Sequence, residues 1–174
     1  MSSTTLVMTL VGPARTGLVE SVASAVAAHQ GNWLESRMAR LAGQFAGILH
    51  VSVPSESAEA LAASLRCLED LTVAVVSSSD RAIPDETTLA SAQLELIGQD
   101  RPGIVRSLST ALAARGINVE ELETECGPAP MSGETLFRAR ALLTSSDPRA
   151  LQAIRADLER LGADLMVEIR LNAP

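Results

Sequence analysis

LVMTLVGPARTGLVESVASAVAAHQGNW, residues 6–33, and AQLELIGQDRPGIVRSLSTALAARGINV, residues 92–119, align over their whole length without a gap. At this fixed offset of 86, Leu10 falls on Leu96, Gly12 on Gly98, Arg15 on Arg101, Gly17 on Gly103, Val19 on Val105, Ser21 on Ser107 and Asn32 on Asn118. Two unrelated helices share leucines and alanines readily. They do not share two glycines, an arginine and an asparagine at one offset, so the chain is read as two copies of one module.

Within each copy the hydrophobic period changes in a fixed order. LVMTLV is β-branched and strand-like, and Gly12 opens a turn. Leu18, Val19, Val22, Val26 and Ala27 then form a helical stripe running to His29. Strands are expected at 33–41 and 45–53, joined around Ala42-Gly43. A second helix follows over SESAEALAASLRCLEDL with Leu61, Leu65, Leu68 and Leu71 on one side, then a closing strand at 72–77. The second copy repeats the order, with strands at 94–97, 117–126, 134–144 and 163–171 and helices at 104–115 and 148–161. Asp147 is the expected cap of the last helix, with Pro148 in its first position. The loop GPAPMSG, 127–133, is longer than its counterpart in the first copy.

A β-α-β-β-α-β order with right-handed crossovers gives an antiparallel four-stranded sheet with two helices on one face. The fold class is therefore α+β, two ferredoxin-like modules at 5–79 and 92–172. The polar, proline-interrupted stretch around 80–91 is the expected linker. Glu121, Glu123 and Glu125 on one strand and Arg138 and Arg140 on the next alternate with apolar residues. Acids should lie beside bases on the uncovered face, a solvated surface rather than a pair of catalytic carboxylates.

Composition narrows the function. Of 174 residues 47% are hydrophobic, which suits folded modules and excludes disorder. The net charge of −7, with one Trp, two Phe and no Tyr, disfavours direct contact with nucleic acid, which needs basic surface and stacking platforms. No apolar run approaches ~20 residues and MSSTT does not open a signal peptide, so no membrane contact is expected and a cytoplasmic location is. Cys67 and Cys126 are distant from each other, without a CxxC or a neighbouring His, and are expected to be reduced packing residues. His29 and His50 belong to no ligand or catalytic constellation. No metal, cofactor or catalytic residue is expected.

The richest motif is GQDRPGIV, Gly98 to Val105, between the first strand and helix of the second copy. Gly98 and Gly103 would let backbone approach a ligand. The free amides around Gly103, Ile104 and Val105 would favour a carboxylate. Asn118, expected near the same end of the sheet, offers both an acceptor and a donor, so the set suits a zwitterionic amino acid. Ordinary turn and capping chemistry would produce the same pattern.

A strand followed by G-x-D-R-P-G-I-V, a helix and an I-N strand start resembles the ACT domain, a small-molecule-sensing module. Two such copies and nothing else resemble the glycine cleavage repressor family, over nearly the whole chain. The resemblance implies amino-acid binding near the first turn at a module interface, with signalling through a regulatory protein partner such as a DNA-binding activator. It also implies association of modules, and a homodimer is expected. Gly98, Asp100, Arg101, Pro102, Gly103, Ile104 and Asn118 carry the motif in the second copy. In the first, Gly12, Arg15, Gly17 and Asn32 match, but Ala14 stands for the Asp and Thr16 for the Pro, which puts that site in doubt.

Three other readings stay in view. An acylphosphatase-like enzyme would use Arg101 and Asn118, but Asp100 in the same loop repels an acyl phosphate. A regulatory subunit of a biosynthetic enzyme would share fold and ligand and differ in partner. An RNA-binding module would need aromatics on its central strands, where LVMTLV and AQLELI have none.

Overall fold

The computed structural model describes residues 2–77, 89–129 and 134–172. The chain divides into two compact units, Met1–Ala82 and Ile83–Pro174. The first holds β1 (Ser3–Pro13), α1 (Leu18–Ala28), β2 (Asn32–Leu41), β3 (Gln44–Pro54), a 3-10 turn at Ser55–Ser57, α2 (Ala58–Arg66) and β4 (Thr72–Ser77). The second holds β5 (Ala90–Gln99), α3 (Ile104–Ala114), β6 (Asn118–Pro128), β7 (Thr135–Ser145), α4 (Pro148–Leu165) and β8 (Val167–Asn172). The sheets run β2-β3-β1-β4 and β6-β7-β5-β8, with every hydrogen-bonded pair antiparallel. Both units have the expected βαββαβ architecture, and the class is α+β.

Alternation on the central strands builds the two cores. Leu6, Met8 and Leu10 of β1 and Leu49, Val51 and Val53 of β3 face Leu18, Val22 and Val26 of α1 and Leu61 and Leu65 of α2. The second core repeats this with Leu94 and Leu96, Ala139 and Leu143, Ile104, Leu108 and Leu112, and Leu151, Ile154 and Leu158. Asp147 caps α4 by accepting from the Arg149 amide at 2.9 Å, with Pro148 in the first turn.

Several expectations need correction. Val19, 46% exposed, and Ala27 stand outside the α1 stripe, because the Leu18, Val22, Val26 row, with Ala25 beside it, is the side that meets the core. The helix α2 stops at Arg66, and the chain turns through Asp70, at φ 63, before Leu71 returns to the core. The last helix runs four residues further than the pattern indicated, to Leu165, and β8 begins only at Val167. Cys67 and Cys126 are free and exposed, not packing residues. His29 does follow expectation: it sits half-buried at the end of α1, with Nδ1 2.8 Å from the Ala25 carbonyl oxygen. Most of the expected linker, through residue 88, and residues 130–133 of the GPAPMSG loop lie outside the described residues.

On the uncovered face of the second sheet, register sets Glu123 opposite Arg140 and Glu125 opposite Arg138. Arg138 meets Glu125 at 3.1 Å, while Arg140 turns to Glu95 of β5 at 3.7 Å. These pairs are exposed, so each contributes at most ~1 kcal/mol. Among the described residues, no helix is long and apolar enough to cross a membrane.

Candidate functional site

Gly98 ends the buried run of β5, and the chain then turns through Gln99–Gly103 into α3. A Cβ on Gly98 would lie 2.5 Å from Val167 Cγ1 and 2.8 Å from the Val167 backbone. Glycine there lets β8 close against β5, so packing by itself requires it. Gly103 differs: nothing lies within 4 Å of its Cβ position, but its φ is 93°, a left-handed conformation that side chains resist. That conformation swings the chain into the helix. No side chain caps α3, and the first intrahelical bond runs from Ser107 N to Gly103 O at 2.9 Å. The amides of Ile104, Val105 and Arg106 thus face outward at the positive end of the helix dipole, where a carboxylate is stabilised.

Three neighbours frame this turn. The Asp100 amide donates to the Thr135 carbonyl at 3.0 Å, which fastens the turn to the start of β7. The Cys126 thiol at the end of β6 donates to the Asp100 carboxylate. Desolvation first, then the Asp100 charge and this bond, raise the thiol above its ordinary value. From the α4–β8 turn, Met166 places its Sδ 3.8 Å from Arg101 Nη2, which also donates to Gln99 Oε1 at 3.3 Å. Among the described residues the Arg101 guanidinium meets no carboxylate. It is a half-buried cation that no described carboxylate pairs, beside helix amides without a side-chain cap. Pro102, exposed in the turn, has no amide hydrogen to offer a ligand.

The first module repeats the backbone and changes the electrostatics. Gly17 has φ 90° and α1 is likewise uncapped, while Gly12 leaves room for the Asp70 carbonyl. The Ala14 amide donates to Gly43 O at 2.8 Å, the same fastening to the strand hairpin. Arg15, however, has its Nε 3.9 Å from Asp70 Oδ2 and donates from Nη2 to the Glu69 carbonyl at 3.3 Å. Its charge is already answered, and Ala14 supplies no carboxylate.

The asparagines lie elsewhere. Asn118 pairs with Thr144, which pairs with Ser91, whereas Gly98 pairs with Phe137. Seven residues of β5 separate the two levels, roughly 23 Å at ~3.3 Å per residue. Asn32 stands at the same remove from Gly12, through Ser52 and Thr5. The expectation that Asn118 shares the turn's end of the sheet is therefore wrong within one module. The helix carries the chain back along the sheet before β6 begins. At its own end, Asn118 Nδ2 donates to Glu120 Oε1 at 2.7 Å, and Thr144 Oγ1 donates to the same oxygen at 2.8 Å. Glu120 reaches both because β6 bulges between Val119 and Glu121. A single phosphate could not touch Arg101 and Asn118 in one module, which removes the geometry an acylphosphatase-like reading needs.

Gln99, Thr135 and Met166 at the turn, and Glu120 at the far end, were not singled out from sequence, and Cys126 was read only as a packing residue. The strand order held the signal. It brings the end of the second strand, the start of the third and the last helix–strand turn to the same end as the first turn.

The ACT domain family matches the chain twice, over residues 4–76 and 92–159. A crystal structure of an unknown protein from Galdieria sulphuraria shares 30% identity and a TM-score of 0.83, covering 99% of each chain. A structure described as a candidate glycine cleavage system transcriptional repressor shares 21% identity and a TM-score of 0.71, covering 99% of this chain and 98% of its own, a likeness of fold. No curated protein matches the chain. With the model matching both modules and a 30%-identical relative matched along its entire length, the chain belongs to the ACT domain family, as two ACT domains in tandem.

Proposed function

We propose that the protein is a non-enzymatic, cytoplasmic amino-acid sensor of the glycine cleavage repressor type, which binds a small amino acid at the β5–α3 turn and signals through a protein partner. One observation carries the reading: among the described residues Arg101 meets no carboxylate and stands beside the uncapped amides of Ile104 and Val105, while its counterpart Arg15 lies 3.9 Å from Asp70. Arg101 and the amides suit the ligand carboxylate, and Asp100 suits its ammonium. A small amino acid such as glycine suits a turn that offers polar groups for both its carboxylate and its ammonium. Asn118, at the other end of its own sheet, lies outside this set of groups. The partner supplies the output: the acidic, aromatic-poor chain is unsuited to gripping DNA itself, and a DNA-binding activator would serve.

Calorimetry of the full chain against a panel of amino acids, glycine included, tests this. Arg101→Ala and Asp100→Ala should each weaken binding by at least tenfold, while Arg15→Ala should leave it unchanged. Binding insensitive to Arg101, or heat from no amino acid, overturns the assignment of the site.

A further inference from the structure

In each module the helices cover one face of the sheet, and the opposite faces of the two sheets have diverged. In the second sheet one row across all four strands reads Glu123, Arg140, Glu95, Arg170, with alternating sign. The next reads Glu125, Arg138, Ile97, Glu168. The corresponding rows of the first sheet read Arg37, Ile48, Thr9, Ala74 and Ala39, Ala46, Val11, Thr72, and the row before them reads Glu35, His50, Val7, Val76. Val11, Ile48, Val76 and, at the hairpin tip, Leu41 are 48%, 52%, 65% and 79% exposed. The second module shows that this fold tolerates a charged outer face, so the apolar one is not required by folding. Exposed Val11, Ile48 and Val76 set among small and uncharged residues, with few charges, are the mark of an interaction site.

We propose that the uncovered face of the first module's sheet is the surface on which two copies of this chain pack face to face. Charge argues for a second copy. Besides His50 the face carries one acid and one base, Glu35 and Arg37, 4.0 Å apart on edge strand β2. A face without net charge has nothing to attract a basic or acidic partner, yet it is complementary to itself. A two-fold axis crossing the strands between these rows lays β2 over β2 in reverse, with Glu35 of one copy opposite Arg37 of the other. The same axis sets Val76 over Ala74, Val7 over the isosteric Thr9 and Ile48 over His50. The extent suffices. About seventeen outward residues at ~30–40 Å² each give roughly 1,000–1,400 Å² over both copies, above the ~1,000 Å² expected of a specific interface. The contact uses the sheet face rather than its open edges, and it shares no residue with the β5–α3 turn, so it stands or falls independently of the ligand site.

Sedimentation of the full chain over a micromolar concentration series tests the interface. The native chain should be a dimer. Ile48→Arg and Val76→Glu, both at positions more than half exposed, should each raise the dimer Kd at least tenfold with an unchanged circular dichroism spectrum. Arg140→Ala on the second sheet should leave the Kd as it was. Glu35→Arg and Arg37→Glu should each weaken the dimer, and the double exchange should restore it. A monomeric native chain, an Ile48→Arg chain with native Kd, equal weakening by Arg140→Ala, or a double exchange that fails to restore association would overturn the proposal.

Discussion

Gly98 and Gly103 stand five residues apart in one motif and are glycines for different reasons. At Gly98 the obstacle is Val167, whose side chain and backbone leave no room for a methyl group. At Gly103 there is room, but φ is 93°. Gly98→Ala should therefore destabilise the second module by about 1–3 kcal/mol, the cost of overpacking. Gly103→Ala should cost about 1–2 kcal/mol from backbone strain. Gly127→Ala, with no neighbour within 4 Å and no positive φ, should stay within ~0.5 kcal/mol of the native chain. Urea denaturation of the three variants measures the series. Equal losses at all three positions would show that neither the Val167 contact nor the dihedral governs. The distinction was hidden in the sequence, where a glycine before a helix and a glycine at a strand end look alike. Cys126 is a similar case. A lone cysteine on a strand reads as packing, and only the return of β6 to the turn puts its thiol on Asp100.

At the scale of elements, the order βαββαβ was legible because alternation and helical stripes were clean on β1, β3, α1 and α3. The ends of α2 and α4 were not. The stripe on α4 continues through Gly162 to Leu165, and its stop is the left-handed Met166, a residue type with no turn signature. The misplaced Asn118 has a different origin. The spacing of 18 residues from Asp100 contains an 11-residue helix, which carries the chain about 16 Å back along the sheet. The parallel sense of β5 and β6 already implied this. The two helices of the second module are joined by charge. Asp157 of α4 accepts from Arg115 at the end of α3, with contacts of 2.8 and 2.7 Å, and from Arg160. The bond from Arg160 first, then those from Arg115, hold the Asp157 carboxyl below its usual range against the opposing desolvation. A carboxyl held low in the folded state contributes stability above its unfolded pKa and loses it as the pH falls through the folded value. Asp157→Asn should therefore melt below the native chain at neutral pH. The gap should shrink as the pH drops below about 4, and thermal unfolding across that range is the check. A gap independent of pH would mean that packing, not charge, joins α3 to α4.

At the scale of the whole molecule, duplication gave two turns with the same backbone and unequal electrostatics. Both have an uncapped helix, a left-handed glycine and a fastening to the neighbouring hairpin. The second adds a carboxylate and a guanidinium that no described carboxylate pairs. The first has Ala14 in place of the carboxylate and an Arg15 already occupied by Asp70 and the Glu69 carbonyl. Under the proposed function, the native chain should bind one ligand per chain by calorimetry. The missing parts can then be restored in steps. Ala14→Asp with Thr16→Pro rebuilds the motif but leaves Arg15 engaged, so the stoichiometry should stay at one. Adding Asp70→Asn removes the competing charge, and the stoichiometry should rise toward two, with the new site weaker because the Glu69 carbonyl still holds the guanidinium. A second site that appears on motif repair alone would mean that the Asp70 contact is too exposed to compete with a ligand carboxylate. A native stoichiometry of two would mean that the Arg15 turn needs neither the carboxylate nor a free guanidinium, and that the two modules sense together.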